Sequence, residues 1–166
     1  YSAAFQSVKH ALLIHKNRRG HSTEDAVIDA VSWAVDKIDN GELASLTAID
    51  LSKAFDSVDH DVLLEKLSRL GVPPHWFRSY LSGRGQIVRG GSKICSVNFG
   101  VPQGSIVGPL LFSIFVADLP GSLPHGRMIC YADDTQLLDS SPPDSDGLAQ
   151  LQLRLQQSMT SVHSWF

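Results

Sequence analysis

The sequence has few cysteines and no long apolar run. Its two cysteines, Cys95 and Cys130, lie far apart and form no Cys-x-x-Cys motif. We therefore expect small buried thiols in a reducing compartment rather than a disulfide framework. The longest apolar stretch, residues 106–117, is interrupted by Gly108 and Pro109. A membrane helix needs about 20 apolar residues, so none is expected here.

Several sequence motifs are also missing. No Asn-x-Ser/Thr acceptor occurs, which favours an intracellular setting. No signal-peptide pattern occurs either, although a fragment could have lost one. The absence of GxxxxGK[ST] and GxGxxG argues against a nucleotide-binding switch, and the absence of GxSxG argues against a serine hydrolase. The chain starts at Tyr1 and stops at Phe166 inside a predicted helix, so both ends look cut from a longer protein.

Acidic residues are absent from the middle of the chain. The net charge is -3, yet residues 66–117 contain no Asp or Glu and six Lys or Arg. A second basic cluster covers residues 9–21, whereas the acids gather at 50–65 and after 117. Separate basic and acidic regions can bind a polyanion and a metal ion together, although a solvated, patchy surface would look the same.

Apolar periodicity predicts an α+β domain of 166 residues. Helices are predicted at 2–15, from Ser22 or Thr23 to Asn40-Gly41, after Asp59 or His60 up to Gly71, at 74–81, at 109–117, and from about Leu148 to the end with Leu151, Leu155 and Met159 on one face. Strands are predicted at 43–51, buried on both faces, at 86–89 and 94–99 in a hairpin, and at 128–132 and 135–138.

The segment Tyr131-Ala132-Asp133-Asp134 has two carboxylates at a predicted hairpin turn. Like charges this close disfavour each other's ionisation, and a divalent cation removes the conflict. Mg²⁺ prefers carboxylate oxygens in octahedral geometry. Asp-Asp alone is also common in turns, but the apolar residues on both sides put these acids at the tip of two buried strands.

Two further segments carry candidate functional residues. In residues 48–56, AIDLSKAFD, Asp50 ends an apolar strand, and Phe55 follows five residues later. A strand-end acid meeting solvent and a core aromatic are the structural alternatives. In residues 100–110, GVPQGSIVGPL, the glycines allow close backbone approach to a ligand, and Gln103 offers a donor and acceptors. The alternative is a structured loop before a helix.

In this order, the three segments resemble motifs A, B and C of reverse transcriptases. The longer strings AIDLSKAFDSVDH, GVPQGSIVGPLLFSIFVADLP and YADDTQLL resemble the non-LTR retrotransposon branch, of the jockey-like or chicken-repeat-like kind. The upstream string RRGHSTEDAV resembles that branch's fingers motif. The resemblance covers nearly the whole chain.

The resemblance implies a role for each matching residue. Asp50, Asp133 and Asp134 would bind two Mg²⁺ ions, for which Mn²⁺ can substitute. Phe55 would be the steric gate that rejects a 2′-hydroxyl. The nucleotide pocket would include Gln103, Gly104 and Arg18. Lys16-Asn17 stands where the family has Gly-Phe before that arginine, and the family's motif D lysine, primer grip and thumb lie beyond Phe166.

The resemblance also implies an architecture and a reaction. Residues 1–42 would belong to the fingers and 43–166 mainly to the palm, an antiparallel sheet with helices on one face, with a fingers-like insertion at about 72–98. A primer 3′-hydroxyl would attack the α-phosphorus of a dNTP on an RNA template, assisted by two metal ions about 3.5–4 Å apart. The expected location is the cytoplasm and nucleus, without membrane association.

Two other functions fit part of the pattern. A degenerate, inactive reverse transcriptase that retains only nucleic-acid binding would keep the motifs but lose primer extension. An aspartate-based phosphatase or nuclease would explain the carboxylates, but not the Pro-Gln-Gly-Ser loop or Phe55. Because the fragment lacks the thumb, we expect it to be inactive alone.

Overall fold

The chain folds into two compact units that are described separately. The computed structural model describes residues 23–51, 53–87, 90–91, 94–102, 104–131 and 133–166. Residues 53–116 form the first unit, and residues 23–51 and 117–166 form the second. Over the described residues, the first unit is therefore an insertion in the chain of the second. The predicted helix at 2–15 lies outside the described residues.

The second unit, here called the sheet unit, is a three-stranded antiparallel sheet with two long helices. Its order along the chain is α1 (Thr23–Asp39), β1 (Leu43–Asp50), a 3₁₀ helix (Leu119–Ser122), β4 (Arg127–Tyr131), β5 (Asp134–Ser141) and α5 (Ser145–Trp165). The strands lie in the order β1-β5-β4, so the last strand is central. Helices and an antiparallel sheet confirm the predicted α+β class.

The helices of the sheet unit pack on both faces of the sheet. Side chains alternate between faces along a strand. Ala26 and Ala30 of α1 share a buried cluster with Ile129 and Leu138. On the opposite face, Arg154 of α5 forms an ion pair with Asp139, the neighbour of Leu138. The prediction of helices on one face is therefore wrong, because β5 is central and buries apolar residues on both of its faces.

Strand β1 is also less buried than predicted. Leu46, Ala48 and Asp50 are exposed, and Leu46 is 47% exposed, while the residues between them are partly buried. The strand is at the edge of the sheet, so its apolar sequence does not mean burial on both faces. Its predicted range, 43–51, agrees with the observed strand to within one residue.

The first unit, here called the inserted unit, contains in its described residues one 3₁₀ helix, three α-helices and a short hairpin. Its elements are a 3₁₀ helix (Ala54–Asp56), α2 (His60–Arg69), α3 (His75–Leu81), β2 (Gly85–Gln86), β3 (Cys95–Ser96) and α4 (Gly108–Phe115). The side chain of Asp59 caps α2 by accepting from the backbone N–H groups of Asp61 and Val62. The core lies between α2 and α4 and includes Leu63, Leu67, Leu111 and Phe112.

Several predicted details differ from the structure. Helix α4 ends at Phe115, and α5 starts at Ser145 because Asp144 caps it by accepting from the Gly147 N–H. Along α5 the buried positions are Gly147, Leu151, Ser158 and Val162, whereas Met159 is exposed, so the buried face differs from the one predicted. No helix within the described ranges has the length and apolarity required to cross a membrane.

Candidate active site

Two of the three predicted metal-binding carboxylates lie opposite each other in the sheet. Asp50 is the last residue of β1, Asp134 is the first residue of β5, and the two are Cα partners in the antiparallel register. Directly opposite residues on such strands point to the same face, with Cβ atoms roughly 5 Å apart. Both residues are exposed. Like charges in this position repel each other, so nothing in the packing of the sheet favours this pair.

The third carboxylate, Asp133, is in the turn of the hairpin between β4 and β5. The prediction placed both acids in that turn, but Asp134 already belongs to β5 and pairs with Tyr131 as well as Asp50. Asp133 is partly buried. Within the described ranges, no group of three or more His, Cys, Asp or Glu side chains meets the geometry of a metal site. The convergence of all three carboxylates therefore stays a prediction.

The donor chemistry of the site nevertheless fits Mg²⁺ or Mn²⁺. Carboxylate oxygens are hard ligands, and hard divalent cations prefer them. A cation near Asp50 and Asp134 would turn a repulsive pair into a favourable one. This electrostatic argument depends on the observed register, not on the family.

A small cavity adjoins Asp134 on the same face of the sheet. Its volume is about 60 Å³, and Tyr131 and Gln136 line it together with Ala26 of α1. The side-chain carbonyl oxygen of Gln136 is buried and has no hydrogen-bond partner within the described residues. A buried polar atom without a partner costs free energy. The packing of α1 over this face therefore leaves an unused hydrogen-bond acceptor, the side-chain oxygen of Gln136, beside Asp134.

Burial also affects the thiol one residue before Tyr131. Cys130 is 2% exposed, and desolvation raises its pKa to about 11, against a smaller lowering by its hydrogen bond with Thr135. The predicted burial of this cysteine is confirmed. The same prediction for Cys95 is wrong, because Cys95 lies on the two-residue strand β3, which is exposed.

In the inserted unit, Phe55 is fixed by an aromatic contact. It lies in the 3₁₀ helix, and its ring stacks on Phe112 with centroids 4.7 Å apart and an interplanar angle of 29°. Phe112 is 1% exposed, whereas Phe55 is only partly buried. Lys53, the residue before this 3₁₀ helix, has φ 57°, a left-handed conformation that is uncommon outside glycine. This bend in the chain helps to turn Phe55 onto the α4 helix.

The segment after Asp50 is joined to the start of the glycine-rich loop. The Gly100 N–H donates to the Val58 carbonyl at 2.7 Å, and the Val101 N–H donates to the Phe55 carbonyl at 2.8 Å. His60 Nε2 lies 2.7 Å from the Gly100 carbonyl, which accepts from it. A Cβ on Gly100 would come within 2.9 Å of the Asp56 Cα, and φ is 88°. Glycine is therefore required at this position.

Gly104 is an exposed turn residue with φ 78°, and a Cβ there would meet no atom within 4 Å. Its left-handed backbone favours glycine for conformational reasons alone. Ser105 follows and accepts from the Gly108 N–H at 2.9 Å, which positions the start of α4. The predicted residues Arg18 and Gln103 lie outside the described residues.

Comparison with known proteins agrees with the motif assignment. The model of the family described as reverse transcriptase (RNA-dependent DNA polymerase) matches residues 3–166.

The chain belongs to the reverse transcriptase family.

Curated relatives of this reverse transcriptase domain come from mobile elements. It is 34% identical over 160 residues to a probable RNA-directed DNA polymerase from transposon BS of Drosophila melanogaster, covering 89% of this chain and 17% of that protein. It is 32% identical over 161 residues to the RNA-directed DNA polymerase from mobile element jockey of the same species, covering 89% and 18%. The jockey polymerase of Drosophila funebris is 36% identical over 137 residues, covering 75% and 15%. The chain thus spans less than a fifth of each relative.

Sequence reasoning missed two residues of the reverse transcriptase domain that position others. His60 was considered only as a helix cap, but it contacts the Gly100 carbonyl instead. Phe112 was predicted only as part of a helix, yet it supports the Phe55 ring. Their contact partners, Gly100 and Phe55, are distant in the sequence. Only Phe112 had a signal in the sequence, as an aromatic residue in the apolar segment after the glycine-rich loop.

Proposed function

We propose that this domain forms the nucleotidyl-transfer site of an RNA-directed DNA polymerase encoded by a non-LTR retrotransposon. The proposed reaction joins a dNTP to a primer 3′-hydroxyl on an RNA template and releases pyrophosphate. The observation that supports it most is the placement of Asp50 opposite Asp134, next to Asp133. These exposed carboxylates repel each other and do not stabilise the sheet, and their oxygens are the ligands that hard divalent cations prefer.

The proposed roles follow from this placement. Asp50, Asp133 and Asp134 would hold two Mg²⁺ ions on the face that Asp50 and Asp134 share. Bound there, the ions would stabilise charge on the attacking and leaving oxygens. The antiparallel register fixes two of the three carboxylates on rigid strands, so little reorganisation is needed when substrate binds.

The nucleotide would be selected by residues of the inserted unit. Phe55, held by Phe112, would block a 2′-hydroxyl by bulk. Gly104, with Gln103 and Arg18, would line the nucleotide pocket. In the palm-and-fingers description, the sheet unit from β1 onward would be the palm, and the β2–β3 hairpin would belong to the fingers-like insertion. The proposed setting, from the family resemblance, is the cytoplasm and nucleus.

The test is primer extension by a complete enzyme that contains this domain. Asp50→Asn and Asp133→Asn should each abolish extension of a DNA primer on an RNA template, while the fold stays intact by circular dichroism. Asp36→Asn is the matched control, because it removes one negative charge from α1 and none from the sheet. Extension by either site variant within a few-fold of wild type would reject the assignment.

The same experiment distinguishes an active polymerase from a degenerate, inactive reverse transcriptase that retains only nucleic-acid binding. If the wild-type complete enzyme binds primer–template but does not extend it in Mg²⁺ or Mn²⁺, the domain is a nucleic-acid-binding remnant. Hydrolysis of dNTP without primer extension would instead favour a phosphatase-like activity.

A further inference from the structure

The inserted unit carries a row of three flat side chains outside the glycine-rich loop. Trp76 and Tyr80 lie one helical turn apart on α3, with parallel rings, an interplanar angle of 6° and centroids 5.4 Å apart. The guanidinium carbon of Arg84 lies 4.5 Å from the Tyr80 ring centroid, over its face. We call Trp76, Tyr80 and Arg84 the stacked row.

The geometry of the row is fixed by neighbouring contacts. Arg84 Nε donates to the Tyr80 carbonyl at 2.7 Å. Gly83, with φ 68°, turns the chain after α3 so that Arg84 folds back over the ring. Phe77 contacts Trp76 edge-on, with centroids 4.9 Å apart and an angle of 87°. The row is therefore preorganised.

The row does not belong to the core of the unit. Trp76 is 52% exposed, and Arg84 is exposed. A large aromatic ring gains most from burial, so an exposed ring in a fixed stack suits a ligand that supplies a further flat surface. Capping of α3 explains the hydrogen bond of Arg84, but it does not explain the parallel Trp76 and Tyr80 rings.

A cavity of about 430 Å³ begins at the end of the row. Arg84 lines it, together with Gln86, Phe99, Asp56 and Pro102. The volume is in the range of small-molecule sites. Phe99 is 56% exposed and offers a flat apolar side, whereas Gln86 offers an amide donor and acceptor. The lining contains one acidic and one basic residue, Asp56 and Arg84, so its net charge does not favour a phosphate, and its polar groups suit the edge of a base better.

The segment that carries the row favours an anionic ligand, and its flat rings favour a nucleic acid over an acidic protein. No acidic residue occurs from residue 66 to residue 117, which includes the whole stacked row. Arginine and aromatic side chains in one row can stack on bases and neutralise phosphates together. Double-stranded nucleic acid keeps its bases stacked inside the helix, so only unpaired bases can use this surface.

We propose that the stacked row and its cavity bind single-stranded nucleic acid, with unpaired bases stacking on Trp76 and one base entering the cavity beside Phe99. The inference rests on the proposed function for the identity of the strand, which would be the unpaired template. The binding itself depends only on the row, the cavity and their charge.

The experiment measures binding of the 166-residue chain to a fluorescent oligouridylate of about 12 nucleotides, a length in the range of known single-strand sites. The double variant Trp76→Leu with Tyr80→Leu keeps apolar bulk but removes the flat faces, and we expect it to bind about tenfold more weakly or worse. An abasic oligomer of equal length should bind wild type and variant alike, since it retains phosphates and lacks bases.

Arginine variants separate stacking from charge. Arg84→Lys should weaken binding several-fold without changing the salt dependence, because lysine keeps the charge but lacks the flat guanidinium. Arg84→Gln should cost more than Arg69→Gln. Arg69 is an exposed arginine of the same unit, ion-paired with Glu65, and is the matched control.

A spectroscopic measurement keeps the test valid if the double variant does not fold. With Trp33 and Trp165 replaced by phenylalanine, the emission of Trp76 should be quenched by the oligouridylate and not by the abasic oligomer.

Several results would overturn the proposal. They are binding of the double variant within twofold of wild type, equal losses on both oligomers, or unquenched Trp76 emission. A double variant that binds the oligomer normally but changes its oligomeric state would assign the row to a protein contact instead. The oligouridylate binding is measured in EDTA, where no divalent cation is available, so failure of the metal site and failure of this surface give different results.

Discussion

Substitution of Asp134 tests whether the opposed carboxylates repel each other in the folded chain. Asp134 faces Asp50 across the β1–β5 pair, and both are exposed, so water screens the pair. Two unit charges roughly 5 Å apart in water repel by about 0.8 kcal/mol, in line with the cost of like charges opposite in a sheet. Asp134→Asn should therefore stabilise the metal-free chain by about 0.8 kcal/mol, which raises Tm by roughly 2–3 °C at this chain length.

Metal binding should reverse the order of thermal stability, so that the wild-type chain has a higher Tm than the Asp134→Asn variant. A cation that binds only the folded state stabilises it by about 2.7 kcal/mol at a hundredfold excess over its Kd. This corresponds to a rise in Tm of roughly 5–10 °C for the wild-type chain. The Asn variant lacks one ligand and one charge, so its rise should be clearly smaller.

The assay is thermal unfolding of the chain with EDTA and with millimolar Mn²⁺ or Mg²⁺, followed by circular dichroism. Asp36→Asn on α1 is the control for net charge and should respond to metal like the wild type. A wild-type Tm that ignores Mn²⁺, or an Asp134→Asn variant less stable than wild type in EDTA, would refute the electrostatic argument.

Three further perturbations follow from described contacts. In a complete enzyme, Phe55→Val should admit ribonucleotides, measured as the ratio of GTP to dGTP incorporation, because the smaller side chain leaves room for a 2′-hydroxyl. In the folded chain, iodoacetamide at pH 8 should alkylate exposed Cys95 and spare Cys130, whose pKa burial raises to about 11, as read by peptide mass spectrometry. Glu42→Gln should destabilise the chain at neutral pH and progressively less below pH 4.5, because hydrogen bonds, first from Ser140, lower the pKa of Glu42 from its ordinary 4.5.

The sign of the Glu42 effect follows from proton linkage. A carboxyl whose pKa is lower in the folded state contributes stability above its unfolded pKa and loses it as pH falls through the folded value. The stability gap between wild type and Glu42→Gln should therefore be constant at neutral pH and shrink below about pH 4.5. A gap that persists undiminished at pH 3 would contradict the role of ionised Glu42.

The other two perturbations have their own controls. Phe55→Leu is the matched variant for Phe55→Val, because it retains more bulk and should discriminate better. An unchanged GTP-to-dGTP ratio in Phe55→Val would leave Phe55 as a core residue stacked on Phe112. Equal alkylation of Cys95 and Cys130 before unfolding would show that the β4–β5 hairpin opens under the assay conditions.

The sequence predicted the elements around the site better than their pairing. Some elements have local signals in the sequence, namely the apolar residues of 43–51 and 128–138 and the capping residue Asp59. The corresponding strands and helix are confirmed. That β1 pairs with β5, and that Asp50 falls opposite Asp134, depends on contacts between distant segments. No local pattern encodes such a register.

Other differences have the same physical origin. The sequence of β1 looks buried, but its exposure depends on a position at the sheet edge that only the strand order reveals. Cys130 is buried because β4 belongs to the three-stranded sheet, whereas Cys95 lies in the exposed two-stranded hairpin, and the sequence does not show which sheet each strand joins. The four-residue spacing of Trp76, Tyr80 and Arg84 was visible in the sequence, but their stacking required α3 to end where it does.

The insertion of one unit between the strands of the other has a consequence for synthesis on the ribosome. Strand β1 leaves the exit tunnel early, whereas its partner β5 is made only after the whole inserted unit and β4. Until then β1 lacks the strand with which it pairs, and its exposed backbone groups can pair with other chains. Nascent chains that stall between residues 51 and 134 should therefore be aggregation-prone and depend on chaperones, and release of β5 should end that vulnerable period.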